Sequence, residues 1–444
     1  MASARRVALD ALLRVEEDDG YSNLVLDKAL SQSGLSQRDK ALAAALFYGV
    51  LESRLTLDYV LKGLSNRPLT KLDPIVLEIL RMGLYQLLYL DKIPSSAAVN
   101  ESVKLAKAMK KFSASGFING VLRGFIRSGC TLKLPDEDKN PLEYLSLKYS
   151  CPQWLVALWQ SSYDGENAIG LLKALSGRPP LTLRRNPLRC KSEEFSAALE
   201  EMGVKHSGVT GVQDAYQIGA GAAVEQLPGF QDGWFHVQDL ASQLCCLALD
   251  ARPGQRVIDV CSAPGGKAFT VAELMENKGE LLAFDLYENK MRLIEEGAKR
   301  LGLSIIKTGV RDAAKPESEI PPADRVLCDA PCSGLGILRR KPEIRYKKQG
   351  ILDSLPDLQY LIVCESAKLV KPGGILVYST CTLNPKENGE IAERFLREHP
   401  DFAAKPISLP GFRSGLEEPM GQLTLMPHLH ATDGFFISAF LKKE

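Results

Sequence analysis

The chain is predicted to be a multi-domain protein with an all-α helical domain, a small α/β module and a doubly wound α/β domain whose sheet is mostly parallel. Apolar residues recur at helical spacing almost without a break through the first 130 positions. After position 250, short apolar runs alternate with helical stretches, as in parallel strands that helices cover on both faces. A length of 444 residues favours two to three domains. We expect the domains at 1–130, 136–250 and 251–444.

The helical domain contains one clear helix start. Asp73 followed by Pro74 predicts it, because aspartate caps a helix and proline suits the first helical position. Lys104, Lys107 and Lys111 share one face of a later helix, where solvation is favoured over phosphate contact.

The middle module combines a helical stretch, Trp154 to Leu172, with short β-like runs at Leu181–Arg184 and Trp234–Val237. Its Arg184 and Arg185 would suit a nucleic-acid channel, but a solvated surface is the favoured interpretation. This module alone therefore does not indicate a function.

The last domain is predicted to bind a ligand at one edge of its sheet. In a doubly wound sheet, ligands bind beyond the carboxyl ends of the strands. The candidate functional residues fall at such ends. The predicted strands are Arg256–Cys261, Leu281–Asp285, Ile305–Thr308, Arg325–Asp329 and Ile375–Thr380.

A turn of small residues follows the first of these strands and opens a helix, so that a ligand can approach backbone N–H groups. It consists of Cys261, Ser262, Ala263, Pro264, Gly265, Gly266 and Lys267. The spacing is neither GxGxxG nor that of a phosphate loop, which admits a nonphosphorylated ligand. Asp285 could accept ribose hydroxyls and Asp312 could reach an adenine, although each could equally cap a helix, and Asp259 is expected to order the turn. Together these residues predict a pocket for S-adenosyl-L-methionine.

Two cysteines, Cys332 after Pro331 and Cys381 after Thr380, lie just beyond the last two of these strands. A pair of thiols at that edge indicates cytosine C5 methylation. Carbon 5 of cytosine is a poor nucleophile until a thiolate adds to C6, and a second group can assist removal of the C5 proton. Cys328 and Cys364, in contrast, are interpreted as core residues. The residues by themselves do not rank the two thiols.

The chain resembles the Sun/Fmu-type (RsmB-like) bacterial 16S rRNA cytosine-C5 methyltransferases over nearly its whole length. The first domain resembles the NusB fold, and Cys151 is one departure from the family's pattern. The segments that carry the resemblance are Val257–Lys267, Asp329–Gly334, Tyr378–Asn388, Ala97–Val103, Gly116–Arg123, Phe235–Ser242 and Asp433–Phe436.

The resemblance implies a role for each residue of the site. Cys381 would be the nucleophile that adds to C6, and Cys332 would help to resolve the covalent intermediate. Asp329 would hydrogen-bond cytosine N3 and its exocyclic amine and could also touch the cofactor. Lys267 would belong to the cofactor turn rather than act as an acid or base. S-adenosyl-L-methionine would be the methyl donor, and no metal is expected.

The implied partner is RNA, either 16S rRNA or the assembling small ribosomal subunit, with no DNA or membrane partner. The basic segment Arg339–Lys348 is expected to contact RNA phosphates. The target cytosine must be single-stranded or flipped out, since pairing buries C5 and C6. Two alternatives stay open: methylation of tRNA, and a noncatalytic RNA-binding or antitermination factor.

Composition places the chain among ordinary globular proteins, with 45% hydrophobic and 25% charged residues. A net charge of +1 gives no global signal for a polyanion, so an RNA surface would have to be a local patch. The ten cysteines contain no CxxC pair, which favours reduced thiols and argues against a zinc site. The N-terminal residues lack an apolar signal core, so a cytoplasmic location is expected.

Overall fold

The computed structural model describes residues 3–18, 22–219, 224–316, 319–347, 349–409, 411–412, 415–416 and 418–444. The chain divides into two compact units. The helical unit comprises Met1–Arg178 and Leu338–Lys347, and the α/β unit comprises Pro179–Ile337 and Lys348–Glu444. The three predicted domain boundaries remain a proposal beside this division. Among the described residues, no helix has the length and apolar character needed to cross a membrane.

The helical unit packs its apolar helix faces into one large core, which includes Phe47, Leu80 and Leu122. The predicted helix start is confirmed, because α4 begins at Pro74 and the carboxylate of Asp73 accepts a hydrogen bond from Ile75 N at 3.0 Å. The helices are α1 (Ala4–Asp18), α2 (Ser22–Ser31), α3 (Gln37–Leu64), α4 (Pro74–Tyr89), α5 (Ser95–Ala108), α6 (Ser115–Arg127), α7 (Pro141–Lys148), α8 (Gln153–Ser162) and α9 (Gly165–Ala174).

The predicted helical stretch Trp154–Leu172 is two helices, α8 and α9, rather than one. The chain is extended at Tyr163, and Asp164 caps α9 by accepting a hydrogen bond from Asn167 N at 2.8 Å. A short aspartate side chain that bonds the backbone favours a new helix start over continuation.

The expectation that Arg339–Lys348 contacts phosphates is wrong for Arg345. Its side chain is 1% exposed and donates to the backbone carbonyls of Glu52, Ser150 and Leu175 within the helical unit. Carbonyl oxygens from three separate segments are therefore satisfied by one buried guanidinium, which cannot also reach RNA. Lys347 is exposed, whereas Lys348 lies outside the described residues.

A four-stranded antiparallel sheet begins the α/β unit, with strand order β2-β3-β1-β4. Its elements are β1 (Leu181–Arg185), α10 (Ser192–Glu201), β2 (His206–Gly208), β3 (Ala215–Ile218) and β4 (Phe235–Val237). The solvated surface predicted for Arg184 and Arg185 is wrong, because both side chains are buried in ion pairs. Arg184 bonds Glu273 at 2.8 Å, and Arg185 bonds Asp214.

The large sheet has the order β10-β12-β9-β8-β5-β6-β7, with β11 paired to β12. Strands β9, β8, β5, β6 and β7 are parallel. The elements are α11 (Leu240–Leu249), β5 (Arg256–Asp259), α12 (Gly266–Leu274), β6 (Glu280–Asp285), α13 (Glu288–Leu301), β7 (Ile306–Val310), β8 (Ala323–Asp329), α14 (Gln349–Leu352), α15 (Leu355–Lys368), β9 (Val370–Thr380), α16 (Gly389–Glu398), β10 (Phe402–Ala404), β11 (Gln422–Leu425), α17 (Pro427–His430) and β12 (Phe435–Lys442).

Helices cover both faces of this sheet, which confirms the doubly wound prediction. Alternate residues of the strands enter two separate cores. Leu327 packs with α11, α12 and α13 on one face, while its neighbour Cys328 packs with α15 and α16 on the other. Cys328 is fully buried, as expected for a core cysteine.

We predict that Glu273→Ala destabilises the α/β unit by about 3–5 kcal/mol, because Arg184 would stay buried without its partner. Glu280→Ala, which breaks partly exposed pairs with Arg256 and Lys307, is the matched control and should cost less than about 1 kcal/mol. Urea unfolding followed by circular dichroism measures both. Equal losses in the two variants would contradict the buried-pair interpretation.

Candidate active site

The candidate site lies at the carboxyl edge of the parallel strands β5, β6, β8 and β9. Asp285 ends β6, Asp329 ends β8, and Cys381 directly follows β9. Asp329 pairs with Ser379 in the β8–β9 register, so the chain segments beyond these strands start from neighbouring positions. The structure thus brings the predicted aspartates and cysteines to one edge of the sheet.

The turn Cys261–Lys267 connects β5 to α12 and is tied to the end of β6. Ser262 N donates to Phe284 O at 2.7 Å, and Ala263 N donates to the Asp285 carboxylate at 3.2 Å. Gly265 has φ +106°, and a Cβ there would lie 2.6 Å from the ring of Phe269. Only glycine suits that conformation and that space at the N-terminus of α12.

The side chains of the turn do not all face the same way. The side chain of Cys261 packs against the apolar core, and burial raises the pKa of its thiol well above the ordinary value. Pro264 is exposed and Gly266 is half-buried. Lys267 reaches past the turn to Asp329, at 2.7 Å. A ligand in this turn would therefore meet mainly backbone atoms.

Asp285 and Asp312 follow β6 and β7. Asp285 is 8% exposed and ion-pairs with Lys290 at 3.4 Å. Asp312 accepts a hydrogen bond from Ala314 N at 3.1 Å, so it caps its own turn. Beside them lie two exposed apolar side chains, Leu286 (50%) and Val310 (56%), which sequence reasoning missed. Apolar side chains at this edge are suited to the faces of a planar ring.

Asp329 is held by two donors. Lys267 Nζ bonds one carboxylate oxygen at 2.7 Å, and the Ser379 hydroxyl donates to the other at 2.8 Å. Burial is the largest single influence on the pKa of Lys267 and lowers it, but the charge of Asp329, its hydrogen bond and the nearby thiols of Cys245 and Cys246 together raise that pKa above its ordinary value. Lys267 is therefore a permanently charged partner of Asp329, a role the sequence did not predict for it.

Asp259 lies inside the end of β5 and is 2% exposed. Burial, and then the charge of Asp329, raise the pKa of Asp259 to about 7. One carboxylate oxygen accepts from Cys261 N at 3.3 Å, as expected for a residue that orders the turn. Asp259 and Asp329 both feel the charge of Lys267, and a further cation at this edge would also favour their ionised forms.

The sulfur atoms of Cys332 and Cys381 lie 3.2 Å apart. The hydrogen bond with Cys381, followed by burial, raises the pKa of Cys332 well above its ordinary value. Either thiol could be the donor in the hydrogen bond between them.

Backbone hydrogen bonds connect the loop after Cys332 to the chain after β9. Gly336 N donates to Cys381 O at 3.0 Å, and Gly434 N donates to Gly336 O at 2.9 Å. A Cβ at Gly336 would overlap the carbonyl oxygen of Gly434, so glycine is required for this close approach.

The comparisons with known proteins agree with this architecture. A family model described as 16S rRNA methyltransferase RsmB/F matches residues 246–441, a NusB family model matches residues 2–127, and a model of the RsmF/B-like ferredoxin-like domain matches residues 151–225. A Bacillus subtilis protein named "Probable ribosomal RNA small subunit methyltransferase B" is 39% identical to the chain over 99% of both. The chain belongs to this methyltransferase family.

Two further relatives span the whole chain. A Synechocystis protein of the same name is 38% identical and covers 100% of both chains. The crystal structure of PH0851 has a TM-score of 0.84 and 28% identity, and it covers 99% of this chain and 98% of its own. The family resemblance, the NusB-like first domain and the Rossmann-like catalytic domain predicted from the sequence are thereby confirmed, and the small module is ferredoxin-like.

We predict a pH-dependent stability difference between the protein and its Asp259→Asn variant. The folded-state pKa of Asp259, about 7, exceeds the ordinary value of 3.8, so its stabilising contribution is full at low pH and is lost as pH rises toward 7. The wild-type protein should lose about 2 kcal/mol relative to the variant between pH 5 and pH 8. Urea unfolding at each pH measures the difference, and a flat difference would contradict the assignment.

Proposed function

We propose that this chain transfers a methyl group from S-adenosyl-L-methionine to carbon 5 of a cytosine in 16S (small-subunit) ribosomal RNA through a covalent bond between Cys381 and C6. One observation carries the proposal: two thiols lie 3.2 Å apart at the strand ends that also bear the Lys267–Asp329 pair. A single cysteine would suffice for attack, whereas the pair suits attack and subsequent release.

The proton on Cys332 supports Cys381 as the attacking group. A thiolate is the nucleophile, and the pKa of Cys332 is raised by its hydrogen bond with Cys381 first and by burial second. In this proposal Cys332 keeps its proton, donates the hydrogen bond between the two thiols and stabilises negative charge on the Cys381 sulfur.

Asp329 is proposed to orient the cytosine ring through its N3 and exocyclic amine. Its carboxylate is fixed by Ser379 and Lys267, so it faces the substrate without rearrangement. As Cys381 adds to C6, electron density moves to N3. The charge of Lys267, held beside Asp329, would stabilise that electron density without loss of the lysine proton.

The residues at the turn fit the proposed cofactor. Asp285 suits two ribose hydroxyls, and the exposed Leu286 and Val310 suit an adenine ring. When bound, S-adenosyl-L-methionine would supply an electrophilic methyl group on a sulfonium, and the acidic Asp259 and Asp329 favour such a cation nearby.

Release is assigned to Cys332. Once bonded to C6, the Cys381 sulfur is a neutral thioether and a weaker acceptor, so the hydrogen bond that is the largest cause of the raised pKa of Cys332 weakens. Cys332 can then lose its proton to solvent water and, as a thiolate, accept the C5 proton. The electrons of that C–H bond restore the ring double bond, the C6–S bond breaks, and Cys381 leaves as a thiolate.

The names of the relatives support ribosomal RNA as the substrate. Purified protein should transfer label from methyl-labelled S-adenosyl-L-methionine to 16S rRNA, and nucleoside analysis should find the label in 5-methylcytidine. Purified tRNA serves as the parallel substrate. Label in tRNA alone would defeat the rRNA assignment, and label in neither would favour a noncatalytic RNA-binding protein.

We predict opposite behaviour for the two cysteine variants. Cys332→Ala should accumulate a covalent protein–RNA adduct, because attack proceeds and release fails, whereas Cys381→Ala should form none. Denaturing gels with labelled RNA measure the adduct. Cys364→Ala, which removes a thiol that contacts His399, is the control and should behave as wild type. An adduct in Cys381→Ala and none in Cys332→Ala would mean that Cys332 attacks the ring and Cys381 assists release.

A further inference from the structure

A fully buried carboxylate, Glu387, lies in the turn that follows β9 and Cys381. It accepts three hydrogen bonds. Ser333 N and Gln359 Nε2 donate to one oxygen at 2.8 and 2.9 Å, and Asn384 Nδ2 donates to the other at 2.9 Å. A buried carboxylate with three donors is strongly oriented, and the proposed chemistry does not yet use it.

The bonds of Glu387 hold the chain on both sides of Cys332. Ser333 directly follows Cys332. Gln359, which bonds Glu387, also donates to the carbonyl of Pro331, the residue before Cys332, at 2.9 Å. Glu387 and Gln359 together therefore restrain the peptide groups that flank this thiol.

The same turn is fixed to the chain around Cys381. The Tyr378 hydroxyl donates to Glu387 O at 2.6 Å. Thr380 donates to the Asn388 side chain at 2.5 Å, and Asn388 in turn donates to Thr382 O at 3.0 Å. Glu387 thus joins the two loops that carry the reactive thiols.

We propose that Glu387 is a positioning residue that holds the Cys332 thiol beside Cys381, and that this spacing serves release of the covalent RNA adduct. The release step rests on the function proposed above, whereas the thiol spacing does not.

The charge of Glu387 also favours the protonated form of the Cys332 thiol. The hydrogen bond with Cys381 and burial raise the pKa of Cys332 most, and the charge of Glu387 raises it further. Glu387 therefore also helps to keep the proton on Cys332 until Cys381 has reacted. The hydroxyls of Ser333 and Thr382 also contact each other, at 2.7 Å. This contact involves side chains only, so removal of Glu387 would still leave the Ser333 N–H without its acceptor.

Thiol spacing can be measured without RNA by phenylarsine oxide, which bonds two adjacent thiols. The arsenic forms two As–S bonds, and its oxygen leaves as water with the two thiol protons, so no oxidant is required. Peptide mapping by mass spectrometry locates the bridge, which should join Cys332 and Cys381 in the wild-type protein. Glu387→Ala should slow bridging at least fivefold. Glu387→Gln, whose amide oxygen can still accept from Ser333 N, should stay within about twofold of wild type.

The matched control is Glu390→Ala, an exposed glutamate three residues further along, which should bridge at the wild-type rate. If circular dichroism shows that Glu387→Ala is unfolded, Gln359→Ala replaces it in the test of the positioning role. Gln359→Ala should slow bridging about twofold or more. A bridging rate equal to wild type in a folded Glu387→Ala, or in Gln359→Ala, overturns the positioning role.

The release step is tested with the same variants on RNA. Folded Glu387→Ala should accumulate about tenfold more covalent adduct than wild type, and Glu387→Gln should restore release. Parallel loss of adduct and methylation in Glu387→Ala would overturn the release role. If wild-type protein methylates no RNA while Glu387→Ala still slows bridging, the proposed function fails and the thiol spacing stands.

Discussion

The parallel pairing of β8 with β9 is the constraint on which the site depends. Asp329 and Ser379 are ladder partners, so the segments that carry Cys332 and Cys381 leave the sheet side by side. Their sulfur atoms can then lie 3.2 Å apart without either loop being long. A shift of register by one residue would point Asp329 into the opposite core and separate it from Lys267 and Ser379.

Lys267 is the central charged group at the carboxyl edge of the parallel strands. Lys267 neutralises Asp329 directly, and Asp259 is left with a pKa of about 7 because burial and Asp329 both disfavour its ionised form. In the proposed reaction, the same proximity places positive charge near the substrate ring and acidic groups near a cationic methyl donor. Lys267, Asp259 and Asp329, which set the charge at this edge of the sheet, are therefore also the side chains that the proposed chemistry uses.

Much of this arrangement could be predicted from local sequence patterns. The apolar runs predicted the strands, Asp73–Pro74 predicted a helix start, and the residues at strand ends predicted the candidate site that the structure brings together, because each signal lies within a few neighbouring residues. Contacts between distant segments could not be predicted in this way. Arg184 bonds Glu273, 89 residues away, so its burial has no local signal.

The buried Arg345 and Glu387 were missed for the same reason. Arg345 satisfies carbonyls from three separate segments, and Glu387 accepts from Ser333, Gln359 and Asn384. In the sequence, the basic run around Arg345 and the charged turn around Glu387 both suggest a solvated surface. Their hydrogen-bond partners come from distant segments and are visible only in the folded structure. The break at Asp164 is different, since its capping pattern was present in the sequence.

The most direct test of the covalent mechanism uses 16S rRNA that contains 5-fluorocytidine. Fluorine at C5 cannot be removed as a proton is, so release is blocked after methyl transfer and the enzyme stays bonded to the RNA. After nuclease and protease digestion, mass spectrometry should find a methylated fluorocytidine on the peptide that contains Cys381. A nucleotide bonded to Cys332, or no bonded peptide at all, would contradict the account.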